Sequence, residues 1–249
     1  MQLTIVFLLA CCHFFGPALS QKRQYGGYDV NIRQYPFVVA ISLGGQTTGS
    51  GAIIAPRWIL SSASAFLVPY HDSYKVNVGA DAVGGGQWYQ GQMVYQHPEW
   101  EGFQDNIALL KTNRKIKFGP TAQPIKLFES NPDGIDNALM LSYGENEQGT
   151  RHLRAATYSL TSGPGCLASL PNNDGDEVIK RNQGYCQNAP DGTKGQWYDD
   201  TGAPIVINDS PRLVAIHAFR VDNDTHYNKV SIAMRVSIYK DFIVNTMKY

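Results

Sequence analysis

From Phe37 onward the sequence is cut into short apolar segments, and this punctuation limits the fold more than any other feature. Phe37–Leu43, Gly51–Ile54, Trp58–Leu60, Lys75–Val78, Ile107–Lys111, Leu139–Leu141, Ile205–Ile207 and Leu213–Ala218 have the length and apolar character of strands. Gly44-Gly45, Gly84-Gly85-Gly86, Asn131-Pro132-Asp133-Gly134 and Asp191-Gly192 separate them, supplying the backbone conformations that turns need. Only the end of the chain, 236–247, has helical spacing, with Val236, Tyr239, Ile243 and Met247 at steps of three and four. Strands at this density predict an all-β sandwich or a pair of barrels. A length of 249 residues allows one large domain or two lobes with a sizeable core.

Composition narrows the function classes. With 17% charged and 43% hydrophobic residues the chain is globular rather than disordered. Its 21 Lys+Arg balance 21 Asp+Glu, so it lacks the basic footprint that nucleic-acid binding usually leaves. Ile5–Phe15 (IVFLLACCHFF) has the length of a signal-peptide core, and Ala18 and Ser20 supply small residues for its removal. Met1–Thr4 lacks the Lys or Arg usual in such a leader. Residues 1–20 are expected to be cleaved and the mature chain secreted, because no later stretch reaches the roughly eighteen apolar residues of a membrane-spanning helix.

Export also changes the cysteine count. Cys11 and Cys12 leave with the signal, and an exported remainder of Cys166 and Cys186 is most simply one disulfide. Closing that loop stabilises by about 3 kcal/mol in the chain-entropy model. The alternatives are two free thiols or a metal site, but zinc-like companion ligands are missing, so neither metal nor cofactor is expected. Asn208-Asp209-Ser210 and Asn223-Asp224-Thr225 become glycosylation candidates in an exported chain.

Longer motifs carry a resemblance to the trypsin-like serine proteases. Arg23-Gln24-Tyr25-Gly26-Gly27 resembles their activation junction, which makes 21–23 a propeptide and 24–249 the protease-like domain. Gln34-Tyr35-Pro36-Phe37, Gly51-Ala52-Ile53-Ile54, Trp58-Ile59-Leu60-Ser61, His97-Pro98-Glu99-Trp100 and Asn106-Ile107-Ala108-Leu109-Leu110-Lys111 follow in the family's order. Asp199-Asp200-Thr201-Gly202-Ala203-Pro204 is similar to the segment that holds the nucleophile. The resemblance implies two six-stranded antiparallel β-barrels with a carboxy-terminal α-helix.

It also implies that the chemistry is lost. The mechanism needs a hydroxyl nucleophile, an imidazole base and a carboxylate that orients the imidazole. Ser64 stands at the histidine position, Asn106 at the carboxylate position and Thr201 at the nucleophile position. None of His71, His97, His152, His217 or His226 falls where the base should be. Asp105 lies next to Asn106, but neighbouring residues of a strand face opposite ways. Asp199 replaces the oxyanion-hole glycine, placing a carboxylate where negative charge would develop. Gly195 stands at the base of the specificity pocket, and Phe219-Arg220 replaces the Trp-Gly that lines the cleft, so Arg220 is expected to project into it. Asp200 matches the aspartate that pairs with a new amino terminus after cleavage at Arg23–Gln24. Cys166 and Cys186 match a family bridge, whereas Gly49 and Ala65 stand where another is missing, and Trp197 replaces a further cysteine.

With its triad altered at all three places, the chain is similar to the inactivated serine protease paralogues of the scabies mite, which are related to the group 3 mite allergens. That likeness implies an extracellular binding protein of the gut lumen, inhibiting complement by engaging host serum proteins. Recognition molecules of the classical and lectin pathways and properdin are the implied partners, with no role for nucleic acid or membrane. A decoy or cofactor in an endogenous protease cascade is the alternative, and a residual hydrolase using Thr201 is a third reading. Gly84–Gly91, with Trp88 and Tyr89, and Asn172–Glu177 are the exposed segments considered for partner contact.

Overall fold

In a computed structural model, residues 26–68, 71–146, 148–170, 175–189, 200–207, 211–221 and 230–249 are described. After a two-residue strand β1 (Tyr28–Asp29), the chain builds a first set of strands. These are β2 (Val38–Leu43), β3 (Gln46–Ala55), β4 (Trp58–Ser61), β5 (Tyr74–Val78), β6 (Gln87–Gln96) and β7 (Ala108–Thr112). They close antiparallel in the order β2-β3-β4-β7-β6-β5. The second set is β8 (Gly134–Ser142), β9 (Arg154–Thr161), β10 (Gly184–Asn188), β11 (Pro204–Ile207), β12 (Leu213–Arg220) and β13 (Ser231–Arg235). It closes as β8-β9-β10-β13-β12-β11, the same path offset by six strands, with β1 added on β9. Both barrels expected from the family resemblance are therefore present.

Alternation along the strands explains why two barrels pack as one body. In β2, Val39 and Ile41 point into the first barrel, whereas Val38 and Ala40 join a core shared between the barrels. In β8, Ala138 and Met140 fill the second barrel, while Leu139 and Leu141 face that same shared core. A strand buried on both faces reads as a continuous apolar run, which is why VVAISL and ALML stand out in the sequence. Each such side chain contributes about 1.5–3 kcal/mol on leaving water.

The α-helices among the described residues are short: α1 (Gly163–Ser169), α2 (Asp176–Lys180) and α3 (Lys240–Thr246). Cys166 on α1 is bonded to Cys186 on β10, with Cα atoms 5.5 Å apart. The helix expected over 236–247 is shortened at its start. The Val236 amide donates to Val214 O at 3.0 Å, which continues the sheet, and the first helical bond runs from Ile243 N to Tyr239 O at 2.9 Å. The segment Gly84–Gly91 is also corrected. Most of it is β6, and Tyr89 is buried beneath the Arg114 guanidinium rather than displayed. Of Asn172–Glu177, residues 172–174 lie outside the described residues, and Asp176 and Glu177 open α2. No helix among the described residues is long and apolar enough to cross a membrane.

Candidate functional site

The seam between the barrels brings three of the expected positions together. Strand β4 ends at Ser61, and extended Ser62 leads into a 3-10 turn, Ala63–Ala65, that presents Ser64. Asn106 precedes β7 and is almost fully buried. Its Oδ1 accepts the Ser64 amide at 2.9 Å, and its Nδ2 donates to Ser64 Oγ at 3.1 Å. Ser62 Oγ lies 3.3 Å from Ser64 Oγ. The pair is thus reciprocally bonded, carboxamide to hydroxyl and backbone. A neutral carboxamide and an aliphatic hydroxyl neither accept nor release a proton near neutral pH.

Asp105 faces elsewhere. The residue adopts φ 50°, a left-handed turn conformation that sends its carboxylate away from Ser64. Oδ2 accepts Gln183 Nε2 at 3.0 Å, and Oδ1 lies 3.8 Å from His97 Nδ1. Opposite directions were expected from strand alternation; the cause is a turn.

Thr201 reaches the same place from the second barrel. Its carbonyl accepts the Ser50 amide of β3 at 2.9 Å, so a first-barrel strand holds the turn in place. The turn closes through Ala203 N donating to Asp200 O at 2.9 Å and Gly202 N to His217 O at 2.8 Å. Gly202 sits at φ +78°, and a Cβ there would lie 2.0 Å from Ser61 Oγ, so glycine is required by both conformation and space. Gly49 and Ala65 face one another, a Cβ on Gly49 lying 3.3 Å from Ala65 Cβ. Ser64, Ala65, Leu67, Val68, Tyr74 and Thr201 line one open depression of about 440 Å³.

Asp200 is fully buried beside this turn, and its Oδ1 accepts Ser142 Oγ at 2.5 Å. The remaining described histidines have partners elsewhere. Buried His217 shares its Nδ1 proton with Gln187 Oε1 at 3.0 Å, and burial first, then the Arg220 charge, pushes it down to about 3. His97 packs edge-on against Tyr239 and Phe242, and His71 Nδ1 accepts the Val94 amide. His152 pairs with Ala82 in an isolated bridge. Phe219, at the end of β12, meets half-exposed Phe103 with ring centroids 4.5 Å apart, and half-buried Arg220 follows it. Arg23, Gln24, Gly195, Trp197, Asp199, Asn208, Asn223 and His226 lie outside the described residues.

Sequence reasoning missed Ser142, which donates to Asp200, and Ser50, whose hydroxyl lies 3.5 Å from that of Ser142. Ser50 sits between two glycines in the middle of β3 and Ser142 closes the apolar run of β8, and neither placement marks a site in the sequence.

A family model described as Trypsin matches residues 24–243. The complement C1s subcomponent of Rattus norvegicus is 29% identical over 166 residues, covering 59% of this chain and 23% of that protein. The calcium-dependent serine proteinase of Mesocricetus auratus is 24% identical over 257 residues, covering 93% of this chain and 36% of that protein. Trypsin 5G1 of Aedes aegypti is 24% identical over 198 residues, covering 75% of this chain and 72% of that protein. The chain therefore spans roughly a quarter to a third of the length of the first two relatives.

Proposed function

The chain belongs to the trypsin family, and from that premise we propose that it is a catalytically inactive member, secreted to bind host complement components and inhibit them. The observation that carries inactivity is the Ser64–Asn106 pair, closed on itself by bonds of 2.9 and 3.1 Å where the mechanism needs an imidazole held by a carboxylate. Thr201 retains a hydroxyl, and the described histidines are engaged elsewhere. Loss of a triad costs about a millionfold in turnover, and what remains depends on the oxyanion hole. The resemblance puts Asp199 at the position of the oxyanion-hole glycine, and a carboxylate there would oppose the charge that the hole should stabilise. Hydrolysis of casein and of small basic peptides is expected to stay at the level of a Thr201→Ala variant. Turnover that Thr201→Ala abolishes would overturn inactivity, as would covalent labelling of Thr201 by a fluorophosphonate.

Complement as the partner is supported by the resemblance to the inactivated mite paralogues and by the similarity to a complement C1s subcomponent. Recognition molecules of the classical and lectin pathways and properdin are the proposed targets. Pre-incubating human serum with the protein at micromolar concentration is expected to reduce complement lysis. Unchanged lysis would sink the proposal. A second reading, a decoy in an endogenous protease cascade, is favoured by the open depression beside Thr201, whose apolar wall of Leu67 and Val68 would still accept an inhibitor's loop. Capture of endogenous inhibitors in place of serum components would select it.

A further inference from the structure

We propose that one end of the first barrel, where β5, β6 and the segment after β7 meet, binds a sulfated polysaccharide through Arg57, Lys75, Arg114, Lys115 and Lys117. The 21 cations and 21 anions of the chain balance overall but are unevenly spread. Residues 106–128 hold Lys111, Arg114, Lys115, Lys117 and Lys126 and no Asp or Glu. The neighbouring stretches 50–58 and 82–96 add Arg57 and again no acid. Asp72, in the turn His71–Ser73 before β5, is the acid of the adjoining elements. Lys75, Arg114, Lys115 and Lys117 are exposed, and Arg57 is half-buried. Among the described residues none of the five forms an ion pair.

The two arginines are held in place by neutral groups. Arg57 Nε donates to Thr112 O at 2.8 Å, and its Nη2 donates to Gln92 Oε1. Arg114 Nη2 donates to Trp88 O at 3.3 Å, with the guanidinium carbon 4.9 Å from the Tyr89 ring centroid. Each guanidinium is thus oriented while its charge and its remaining N–H donors stay available to an anion. Thr112 sets their spacing, since its amide donates to Arg57 O at 2.8 Å and its hydroxyl to Arg114 O at 2.8 Å. Tyr89 Oη accepts the Lys117 amide at 3.0 Å. Gln90 O accepts the Asn113 amide at 2.9 Å, and Gln90 stands opposite Lys75 in the β5–β6 register. One frame of backbone bonds therefore gathers all five cations.

A polyanion gains from such a surface by releasing the counterions condensed along it. Sulfate groups suit the guanidinium fork, which meets an oxyanion with paired N–H donors. Nucleic acid and lipid fit less well. Tyr89 is buried beneath Arg114, and Phe118 is the one exposed large apolar side chain of residues 106–128. A single ring is neither a stacking platform for bases nor an apolar face for a bilayer. A sulfated polysaccharide is also an extracellular partner, in keeping with a secreted chain. The surface shares no residue with the depression beside Thr201, so this binding stands whether or not complement is the target.

The test titrates fluorescent heparin with the full chain, without serum, at about 0.15 M NaCl. Saturable binding is expected, weakening about tenfold or more at about 0.4 M NaCl. Arg57→Gln with Arg114→Gln is expected to weaken it about tenfold, and so is Lys115→Gln with Lys117→Gln. Lys240→Gln with Lys248→Gln removes the same charge elsewhere and is expected to leave it within about twofold. No binding, binding that salt leaves unchanged, or an equal loss from the Lys240 and Lys248 pair would overturn the proposal. Equal binding of desulfated heparin would do the same, as would tighter binding of a single-stranded oligonucleotide or of vesicles with about 30% phosphatidylserine. If the arginine pair does not fold, the lysine pair decides, because Lys115 and Lys117 are exposed and their side chains form no hydrogen bond among the described residues.

Discussion

The two barrels share a strand order and fill it differently. The interior of the first is mainly branched aliphatic, with Val39, Ile41, Ile53, Ile59, Val76 and Leu110 in one cluster. The second uses smaller apolar residues, among them Ala138, Ala156, Ala215 and Ala233, and adds polar groups. Gln187 Oε1 takes bonds from His217 at 3.0 Å and Ser231 at 3.4 Å. Arg235, with no exposed surface, gives its Nε to Gly184 O at 3.0 Å, and its guanidinium lies 3.9 Å from the Tyr185 ring centroid. One topology thus carries two kinds of interior. The first barrel should answer to lost volume, and the second to protonation.

The largest effect is expected where the two barrels meet and the distinction vanishes. Gly202→Ala must adopt φ +78° and place its Cβ 2.3 Å from Ser50 O of the other barrel. Left-handed backbone costs about 1–2 kcal/mol and overpacking about 1–3, so a loss of about 4 kcal/mol in urea unfolding is expected. A loss below about 1 kcal/mol would mean that the seam yields easily.

Next comes a pure volume test. Ile59 is fully buried in the first barrel, and Ile59→Ala is expected to cost about 3 kcal/mol at pH 7 through lost burial and the cavity left behind. The dependence of stability on pH should be that of the unsubstituted chain. A changed pH profile would break the comparison from the first barrel's side.

His217 tests the other half. Unfolded, it takes up a proton near pH 6.5; folded, burial and then Arg220 hold it neutral down to about 3. Its contribution is complete above pH 6.5 and shrinks as pH falls through that value, because the unfolded state then binds the extra proton. Stability should decline by about 1.4 kcal/mol per pH unit from this group, or roughly 2–3 kcal/mol by pH 4.5. His217→Gln is expected to remove that part of the decline between pH 7 and pH 4.5 in urea unfolding. An unchanged decline would assign the acid sensitivity to other groups.

The contrast between the barrels also explains what could be read in advance. Strands buried on both faces, such as Val38–Leu43 and Leu213–Ala218, announce themselves as apolar runs. β6 (QWYQGQMVYQ) and β9 (RAATYSLT) mix polar, small and glycine residues because one face is wetter, and periodicity passed over them. The helix was read too long because Val236 and Tyr239 are buried in a turn that mimics helical spacing. The meeting of Ser64 with Asn106 across 42 positions followed only from family resemblance. Ser50 and Ser142 are 92 positions apart, and no local pattern links them.

The smallest effect is expected at the hydroxyl of Ser64. Ser64→Ala removes the oxygen that accepts Asn106 Nδ2 at 3.1 Å, but the Ser64 amide still donates to Asn106 Oδ1 at 2.9 Å. Ser64 is half-buried and lines the open depression, so water can replace the lost partner. A loss of about 1 kcal/mol in urea unfolding follows, with no change in hydrolysis of peptides. Asn106→Ala should cost more, because it strands a backbone amide beside a residue that is 1% exposed. If Ser64→Ala instead cost as much as Ile59→Ala, the pair would be a structural keystone of the first barrel. A small cost leaves Ser64 where the geometry puts it, at the rim of a barrel whose stability resides in its aliphatic interior.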